Sequence, residues 1–297
     1  MLVSAGVYVE EEYVSLESWW LSYSELLKQV LLTLFAFVCL ERFIPIQRSH
    51  SINALIFNVS YKILNLGLVL CLIPSFALIA QKIKVMLHAG YIRWPAPGSL
   101  DLFQTILWCL AYAFIWDLLQ YAGHRMQHSI PFLFEIHKFH HAERALNASS
   151  TGRKHILEHI FEEFTIVLPL LLIFSDPVLP VIVQSLFFNG WGYFNHMNAR
   201  INLGPLTSIV SGPQFHRIHH SIDSKHYNKN FAAFFPFIDQ IFGTYYKPSA
   251  EEYPDTGLEG RDDVHNLLFV YVEPLKNWSS AIIKLLSNSW RTHSEPT

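Results

Sequence analysis

Three stretches of this sequence are apolar over nearly the length that a helix needs to cross a lipid bilayer. They run from Leu26 to Cys39, with an extension to Phe43, from Ile63 to Ala80, and from Leu102 to Tyr121. A transmembrane helix needs roughly 20 such residues. Only 15% of the chain is charged, against roughly 25% in average soluble proteins, which disfavours three buried helices of a soluble core. The sequence therefore predicts an all-α, multi-pass integral membrane protein.

A fourth apolar stretch, residues 164–194, carries a single charge at Asp176. Two complete spans need about 40 residues, so this stretch is too short for two ordinary crossings. We expect a hairpin of two helices that turns near residues 175–180 and returns the chain to the side it left. Because the third apolar run leads to His124 and the hairpin leads to His196, the histidines that follow both should lie on one side of the membrane.

Basic residues cluster around the histidine-rich part of the chain, at Arg125, Lys138, Arg144, Arg153, Lys154, Arg200 and Arg217. Because cytoplasmic segments carry an excess of lysine and arginine, we expect this side to be cytoplasmic and the acidic N-terminus to lie outside. Lys82, Lys84 and Arg93 would then lie on the outer side and count against this orientation. The C-terminus carries no dilysine or K-D-E-L signal, which favours a bacterial inner membrane over the endoplasmic reticulum.

Charge and cysteine content exclude two other classes of site. The net charge of −3 and the isoelectric point near 6.6 argue against a nucleic-acid partner. The three cysteines, Cys39, Cys71 and Cys109, all lie in apolar stretches without a second cysteine at metal-binding spacing. We expect neither a disulfide framework nor a thiolate metal site.

Histidines recur at spacings that suit a metal site. Of 16 histidines, twelve lie between His124 and His226, and they form "HRMQH" at 124–128, "HKFHH" at 137–141 and "HRIHH" at 216–220. On a helix, residues at i and i+4 lie on one face, and the three rings of HxxHH fall within roughly 100°. Without a metal, each buried ring nitrogen that lacks a partner would cost about 1–3 kcal/mol.

The candidate ligands of these three motifs are His124, His128, His137, His140, His141, His216, His219 and His220. Imidazole suits zinc, copper, iron and nickel alike, so the pattern does not choose the metal. One tetrahedral zinc needs only about four ligands, so eight candidates predict two ions. Lys138, Phe139, Arg217 and Ile218 stand between the histidines, and we expect them to point away from the site and to tolerate substitution.

Neutral imidazoles do not cancel the charge of two divalent cations, so acidic residues should orient the ring N–H groups. Candidates near the histidines are Asp117, Glu135, Glu158, Glu162 and Asp223. Asp117 is the most suggestive because it lies inside the third apolar run, where an acid is a functional candidate.

The three histidine motifs, in this order and at these distances, resemble the histidine boxes of the fatty acid hydroxylase/sterol desaturase superfamily. "NHMN" at 195–198, the segment 228–231 and "FGTY" at 242–245 also match, so the resemblance covers roughly residues 100–250. It implies an integral membrane, non-haem di-iron oxygenase that acts on lipids.

The same resemblance implies roles for individual residues. The eight box histidines and His196 would be metal ligands, and His155 is a further candidate. Asn195 and Asn228 join Asp117, Glu158 and Asp223 as candidates for groups that orient the ligands. Some members of the superfamily have a second histidine four residues after the one at His196, where this chain has Arg200.

The expected reaction is O2-dependent hydroxylation or desaturation of a membrane lipid, such as a sterol or a fatty acyl chain. Two iron ions would be the cofactor, and zinc can replace them during purification. The chain has no cysteine cluster, C-x-x-C-H or G-x-G-x-x-G motif for an electron carrier. We therefore expect a separate electron donor, either a ferredoxin or a cytochrome b5-type protein with its reductase.

Two other functions compete with this interpretation. His155, Glu158 and His159 form the H-x-x-E-H pattern of inverted zinc proteases, which would indicate a membrane zinc-dependent hydrolase. A metal transporter would need its ligands near mid-membrane on several spans. The histidines here instead follow the ends of the apolar runs.

The predicted organisation is a single membrane-embedded domain over residues 1–297, a helical bundle with a histidine-rich, helical di-metal part on the cytoplasmic side. Within it, residues 1–101 form an N-terminal membrane anchor, 102–248 the catalytic core, and 249–297 a C-terminal surface tail. The aromatic segment 231–246 is too short for a span and should lie at the interface or pack into the core. The tail contains a possible amphipathic surface helix.

Overall fold

The computed structural model describes residues 16–46, 51–93, 95, 99–174, 189–261 and 264–293. Over these ranges the chain is helical and forms no β-strand, only isolated bridges such as that between Pro45 and Ala199. The expected all-α fold is therefore confirmed.

Three long helices correspond to the three apolar runs. They are α1 (Leu16–Glu41), α2 (Ile52–Met86) and α3 (Leu102–Ser129). By length and composition, Tyr23–Glu41 of α1 and the whole of α2 and α3 can cross a membrane. The length and composition of these three helices confirm the prediction of a multi-pass membrane protein.

Shorter elements follow the three long helices. They are α4 (Pro131–His141), a 3-10 turn (Ala148–Gly152), α5 (Ile156–Glu162), a π-helical turn (Glu163–Val167), α6 (Leu168–Ile173), α7 (Gly190–His196), a 3-10 turn (Gly204–Ser208), α8 (Pro213–His219), a 3-10 turn (Ser224–His226), α9 (Phe237–Ile241) and α10 (Leu267–His293). The turn of the hairpin expected over residues 164–194 falls outside the described residues.

A sharp corner joins α3 to α4. Asp101 begins α3 with a capping box, in which its carboxylate accepts the Gln104 backbone N–H. At the other end Ile130 is extended, and Pro131 begins α4. Proline suits this first position because its missing N–H would have no helical partner there. The corner brings the histidines at the end of α3 close to those on α4.

Buried polar contacts tie the anchor helices to the histidine-bearing part. The Glu41 carboxylate at the end of α1 accepts the backbone N–H groups of Ala148 and Asn198. On α2, the Tyr61 hydroxyl donates to the Lys154 carbonyl oxygen at 2.7 Å. Asn58 donates to Glu143 at 2.9 Å. The last turn of α1 and the first turns of α2 therefore lie on the same side as the histidines.

The aromatic segment after α8 forms the main core against α3. Phe231, Phe234, Phe235 and Ile238 are all buried, and they pack with Tyr121 and other residues of α3. This segment is therefore a core-packing element, one of the two alternatives that its composition suggested.

The C-terminal region is attached to this core through specific contacts. The buried Thr256 hydroxyl donates to the Arg144 carbonyl oxygen at 2.9 Å. Tyr246 and His226 both contact the Glu252 carboxylate. Although α10 lies at the surface, the residues that lead to it contribute buried groups to the fold.

Arg153 and Glu143 form a completely buried ion pair, with 3.1 Å between their charged groups. The guanidinium also donates to the carbonyl oxygens of Phe139 and Val264. Removing one partner of a buried pair leaves the other charge uncompensated, which costs about 3–5 kcal/mol. We predict that Arg153→Ala markedly lowers the thermal unfolding midpoint in detergent micelles.

A matched control for this prediction is Arg200→Ala. Arg200 also pairs with a glutamate, Glu251, but both side chains are exposed, and exposed pairs contribute little. Equal changes of the unfolding midpoint in the two variants would contradict the assignment of Arg153 as a structural centre.

Candidate metal centre

Nine histidines converge into two neighbouring groups. The five-histidine group consists of His124, His128, His137, His141 and His219. The four-histidine group consists of His140, His196, His216 and His220. Within each group, the candidate ligand nitrogens lie within 4.8 Å of one another. The two groups are adjacent, since the rings of His141 and His220 stack with centroids 4.4 Å apart. The nine residues are those that the sequence singled out as ligands.

Each histidine triplet is divided between the two groups. On α4, His137 and His141 belong to the five-histidine group, whereas His140 belongs to the other. In the third motif, His219 joins the five-histidine group while its neighbours at 216 and 220 join the other. Adjacent residues on a helix point about 100° apart, so His140 and His141 can face two different centres. This division refines the expectation that each triplet presents three rings to one site.

Backbone carbonyl groups fix the tautomer of three rings. The Nδ1 atoms of His124, His196 and His219 lie 2.9, 2.8 and 2.9 Å from the carbonyl oxygens of Phe231, Gly192 and Lys229, respectively. A carbonyl oxygen only accepts hydrogen bonds, so each Nδ1 must carry the proton. The Nε2 atom of each ring then carries a lone pair that points into its histidine group.

The five-histidine group fits a cation because its inward nitrogens lack donors. The Nε2 atoms of His128 and His219 are buried and have no hydrogen-bond partner among the described residues. His124 Nε2 and His137 Nε2 lie 3.1 Å apart. Two nitrogens bound to one metal at about 2.0–2.1 Å would be separated by about 3.0–3.4 Å. A metal ion satisfies these lone pairs where the protein offers no donor.

The four-histidine group also brings its candidate ligand nitrogens together. Its Nε2 atoms approach one another at 3.2 Å (His140 and His196), 3.2 Å (His196 and His216) and 3.1 Å (His216 and His220). His196 Nε2 carries a lone pair, because its Nδ1 atom holds the ring proton. The four nitrogens therefore converge on one point at separations that suit metal ligands.

Burial keeps the rings neutral, which metal binding requires. Desolvation, followed by the neighbouring imidazoles, lowers the pKa of His137, His140, His141, His216 and His220 well below the ordinary value. Burial also lowers the pKa of His196 to about 3 and that of His219 to about 4. At neutral pH these lone pairs are not blocked by protons.

Glu158 is the predicted orienting acid that contacts a box histidine directly. Its carboxyl group lies 2.9 Å from His137 Nδ1, and both side chains are buried. Burial raises the pKa of Glu158 to about 8, while nearby Lys154 opposes that rise. A cation bound by His137 would favour the ionised form of Glu158. In that form the carboxylate fixes the orientation of the ring and raises its basicity as a ligand.

Asp117 supports the histidines indirectly, through the backbone of a neighbouring segment. Its carboxylate accepts the backbone N–H groups of residues 233–235. Asp239 accepts those of residues 231 and 232 in the same way. Together the two carboxylates hold the segment whose Phe231 carbonyl orients His124. The sequence identified Asp117 as important, but the structure shows it binding backbone amides rather than a ring.

The other predicted orienting residues do not contact a box histidine. Asn195 donates to the Ala233 carbonyl oxygen at 2.8 Å and so supports the same segment. Asp223 is exposed and caps the 3-10 turn that follows α8. Asn228 is exposed and has a left-handed backbone, with a φ of 57°.

The further candidate ligand, His155, lies outside both groups. Its Nδ1 atom accepts the Leu157 backbone N–H and so caps α5. His159 lies against Asn65 of α2, with 2.9 Å between their side-chain nitrogens. Because Glu158 faces His137, the residues of the H-x-x-E-H pattern do not form a metal site among the described residues. Arg200 is exposed and adds no ligand to the four-histidine group.

The residues between the histidines point away from the metal centre but are buried. Lys138 lies between the carboxylates of Glu135 and Glu273. Arg217 donates to the Pro254 carbonyl oxygen at 2.8 Å. Phe139 and Ile218 are also buried. These partners do not support the expected tolerance of the four positions to substitution.

Sequence reasoning missed the carbonyl groups of Gly192, Lys229 and Phe231, which orient three of the rings. Every residue has a carbonyl group, so no residue type signals this role. Only the path of the backbone around α7 and α8 determines which carbonyls face the rings.

Comparison with known proteins found one family whose model matches the histidine-bearing part of the chain. Residues 109–244 match the fatty acid hydroxylase family model. This range contains all nine histidines of the two groups. No solved structure gave a significant match.

Three relatives of known name share part of the sequence. Ornithine lipid hydroxylase OlsE of Rhizobium tropici is 29% identical over 57% of this chain and 53% of its own. Human alkylglycerol monooxygenase is 32% identical over 43% of this chain and 28% of its own. The very-long-chain aldehyde decarbonylase GL1-4 of Oryza sativa subsp. japonica is 24% identical over 66% and 33%, respectively. The chain therefore spans about half the length of the first and a third or less of the other two.

The division of the triplets predicts which metal each histidine affects. His140→Ala removes a nitrogen of the four-histidine group, and His219→Ala removes one of the five-histidine group. If each group of the iron-loaded protein holds one ion, each variant should lose about one of the two, because removal of an imidazole ligand weakens one centre more than the other. Elemental analysis gives the iron per chain, and Mössbauer spectra of ⁵⁷Fe-loaded protein show which ion remains.

His155→Ala is the control for these ligand variants, because His155 is buried beside the centre but belongs to neither group. It should retain the metal content of the unmodified protein. Loss of as much iron from this variant as from His140→Ala would contradict the division of ligands.

Asp117→Ala tests the backbone support of His124. The variant leaves three buried N–H groups without their acceptor, at a cost of about 1–3 kcal/mol each. We expect a lower thermal unfolding midpoint and weaker iron binding by the five-histidine group, with less effect on the other. The exposed Asp223→Ala is the control. Iron lost equally from both groups of a stably folded Asp117→Ala protein would contradict this role.

Proposed function

We propose that this chain, whose residues 109–244 match the fatty acid hydroxylase family model, uses O2 to oxidise a C–H bond of a membrane lipid at two iron ions. The observation that carries the proposal is the pair of adjacent histidine groups, in which His128 Nε2 and His219 Nε2 have no hydrogen-bond partner among the described residues. In each group the candidate ligand nitrogens lie within 4.8 Å of one another. Ligation of one ion by His124, His128, His137, His141 and His219, and of the other by His140, His196, His216 and His220, would satisfy them.

Bound iron would supply the activation of O2, and the protein would supply position and environment. Carbonyl groups and Glu158 hold four of the rings in orientation. Such preorganisation means that the ligands need not reorganise during the reaction. In this proposal, residues 1–101 anchor the protein and residues 102–248 carry the chemistry.

A lipid substrate is supported by the position of the centre at the end of a candidate span. His124 and His128 lie in the last two turns of α3, which is long and apolar enough to cross the bilayer. The rings of Phe231 and Phe134 pack against His128, with centroids 5.1 and 5.6 Å away. Apolar groups here exclude water from the reacting atoms. A lipid chain can approach from the bilayer without entering water.

The named relatives narrow the substrate class. An ornithine lipid and an alkylglycerol, which two of the names specify, both combine a polar head with a long hydrocarbon chain. We propose hydroxylation of a lipid of this class in preference to desaturation. The balanced reaction consumes one O2, two electrons and two protons, and it gives one hydroxyl group and one water.

The two electrons require a reductant, for which we propose a separate ferredoxin or cytochrome b5-type donor with its reductase. The proposed membrane is a bacterial inner membrane with the histidine groups on its cytoplasmic side. Basic residues near the histidines, such as Arg125 and Arg144, support this orientation.

Isotope labelling tests the proposal directly. The iron-loaded protein is placed in vesicles that contain an ornithine lipid or an alkylglycerol, with a ferredoxin and its reductase. With ¹⁸O2 we predict an alcohol product that carries one ¹⁸O atom, measured by mass spectrometry. The His140→Ala protein should form no product, because it lacks a ligand of the four-histidine group.

A zinc-dependent hydrolase would behave differently in the same assay. It would work without reductant, and its product would carry oxygen from labelled water rather than from O2. Hydrolysed lipid that carries oxygen from water, formed by the zinc-loaded protein, would overturn the oxygenase proposal.

A further inference from the structure

One face of the C-terminal helix α10 packs against α4. Val270 is buried beside Phe139 of α4 and Tyr61 of α2. Glu273 accepts from Lys138 at 3.0 Å, and Asn277 donates to Glu135 at 2.7 Å. At about 100° per residue, Val270, Glu273 and Asn277 lie within roughly 60° of one another around the helix axis. This is the face of α10 that the rest of the protein covers.

The opposite face of α10 is an exposed apolar stripe, here called the outer stripe. It consists of Leu268, Val272, Leu275, Ile282 and Ile283, which are 68, 36, 56, 53 and 66% exposed. These five residues lie within about 100° of one another, and the centre of the stripe lies roughly 180° from the packed face. The stripe therefore points away from every described part of the chain.

The outer stripe is continuous with the end of a candidate membrane span. The Trp278 indole N–H donates to the Phe132 carbonyl oxygen at 3.0 Å, and the two rings stack with centroids 4.1 Å apart. Phe132 follows α3 by three residues, and both it and Ile130 expose apolar surface. The end of α3 marks the height of the bilayer surface, and tryptophan is enriched at that height.

The polar residues of α10 suit the same position. Lys276 is exposed and lies about 20° beyond the edge of the outer stripe, next to Ile283. Lysines beside an apolar face can extend their charged ends to water while their stems cover hydrocarbon. A helix of this length with opposed apolar and polar faces is typical of helices that lie in the membrane interface.

We propose that α10 lies in the plane of the membrane surface, with the outer stripe inserted among lipid chains beside the end of α3. The partner of this face is the lipid bilayer itself. In this position α10 contacts Tyr61 of α2 near one end and Phe132, just after α3, further along. It also contacts α4 through Lys138 and Glu135. This inference does not depend on the proposed oxidation of a lipid.

Site-specific labelling tests the inference. Cys39, Cys71 and Cys109 are replaced by serine, and single cysteines are introduced as Leu275→Cys and Ile282→Cys on the outer stripe. Ser280→Cys is the matched control, because Ser280 is exposed on the same helix at about 140° from Leu275. Each full-length variant carries an environment-sensitive fluorophore and is placed in nanodiscs that hold one copy.

We expect blue-shifted emission at 275 and 282, and quenching by lipids with a shallow spin label that is at least about twofold stronger than at 280. Equal, water-like emission at all three positions would overturn the proposal. Emission at 275 that is blue-shifted only in discs holding two copies, without lipid quenching, would show that a second copy covers the stripe and would also overturn it. Retention of the unmodified protein's iron content by each labelled variant shows that the histidine groups are still folded.

Discussion

The structure depends on a set of buried imidazole nitrogens that the protein does not satisfy by itself. Nine neutral rings share the centre, and five of them have a nitrogen with no hydrogen-bond partner among the described residues. An arrangement of this kind is unfavourable without a cation, because each buried polar atom without a partner has a desolvation cost. A bound metal ion would therefore stabilise the fold as well as supply chemistry. The polar contacts around the centre serve to keep these rings in place.

Those contacts position the histidine rings mainly through backbone groups, and less through other side chains that contact the rings. Asp117 and Asp239 bind five consecutive amides of residues 231–235, and the first of these residues supplies the carbonyl that orients His124. A carboxylate that accepts several N–H groups defines a loop more rigidly than one that accepts a single bond. Asp117 also lies on α3, four residues after Ala113 of the buried core. The membrane helix and the metal centre are thus positioned by the same residue.

Features of the fold and the site that depend on residues close together in sequence could be predicted, whereas features that depend on distant residues could not. The three spans depend on composition over about 20 residues, and hydropathy revealed them. Eight of the nine converging histidines were evident from the H-x-x-x-H and H-x-x-H-H spacing, and His196 was inferred from the family resemblance. The division of each triplet depends on the angle at which α4 meets α8, which no spacing encodes. Lys138 and Arg217 were expected to tolerate substitution. Their buried contacts with Glu273 and Pro254 join residues far apart in sequence, so local spacing did not reveal them.

The division of the triplets has a mechanical consequence for the two centres. Because α4 supplies His140 to one group and His141 to the other, a rotation of α4 moves ligands of both groups at once. The third motif couples the groups in the same way through His219 and His220. Each motif is held on its outer side by a buried cation, Lys138 or Arg217, so rotation is resisted from the face opposite the metals. The residues between the histidines therefore maintain the relative position of the two histidine groups. Two sites on independent helices would not be coupled in this way.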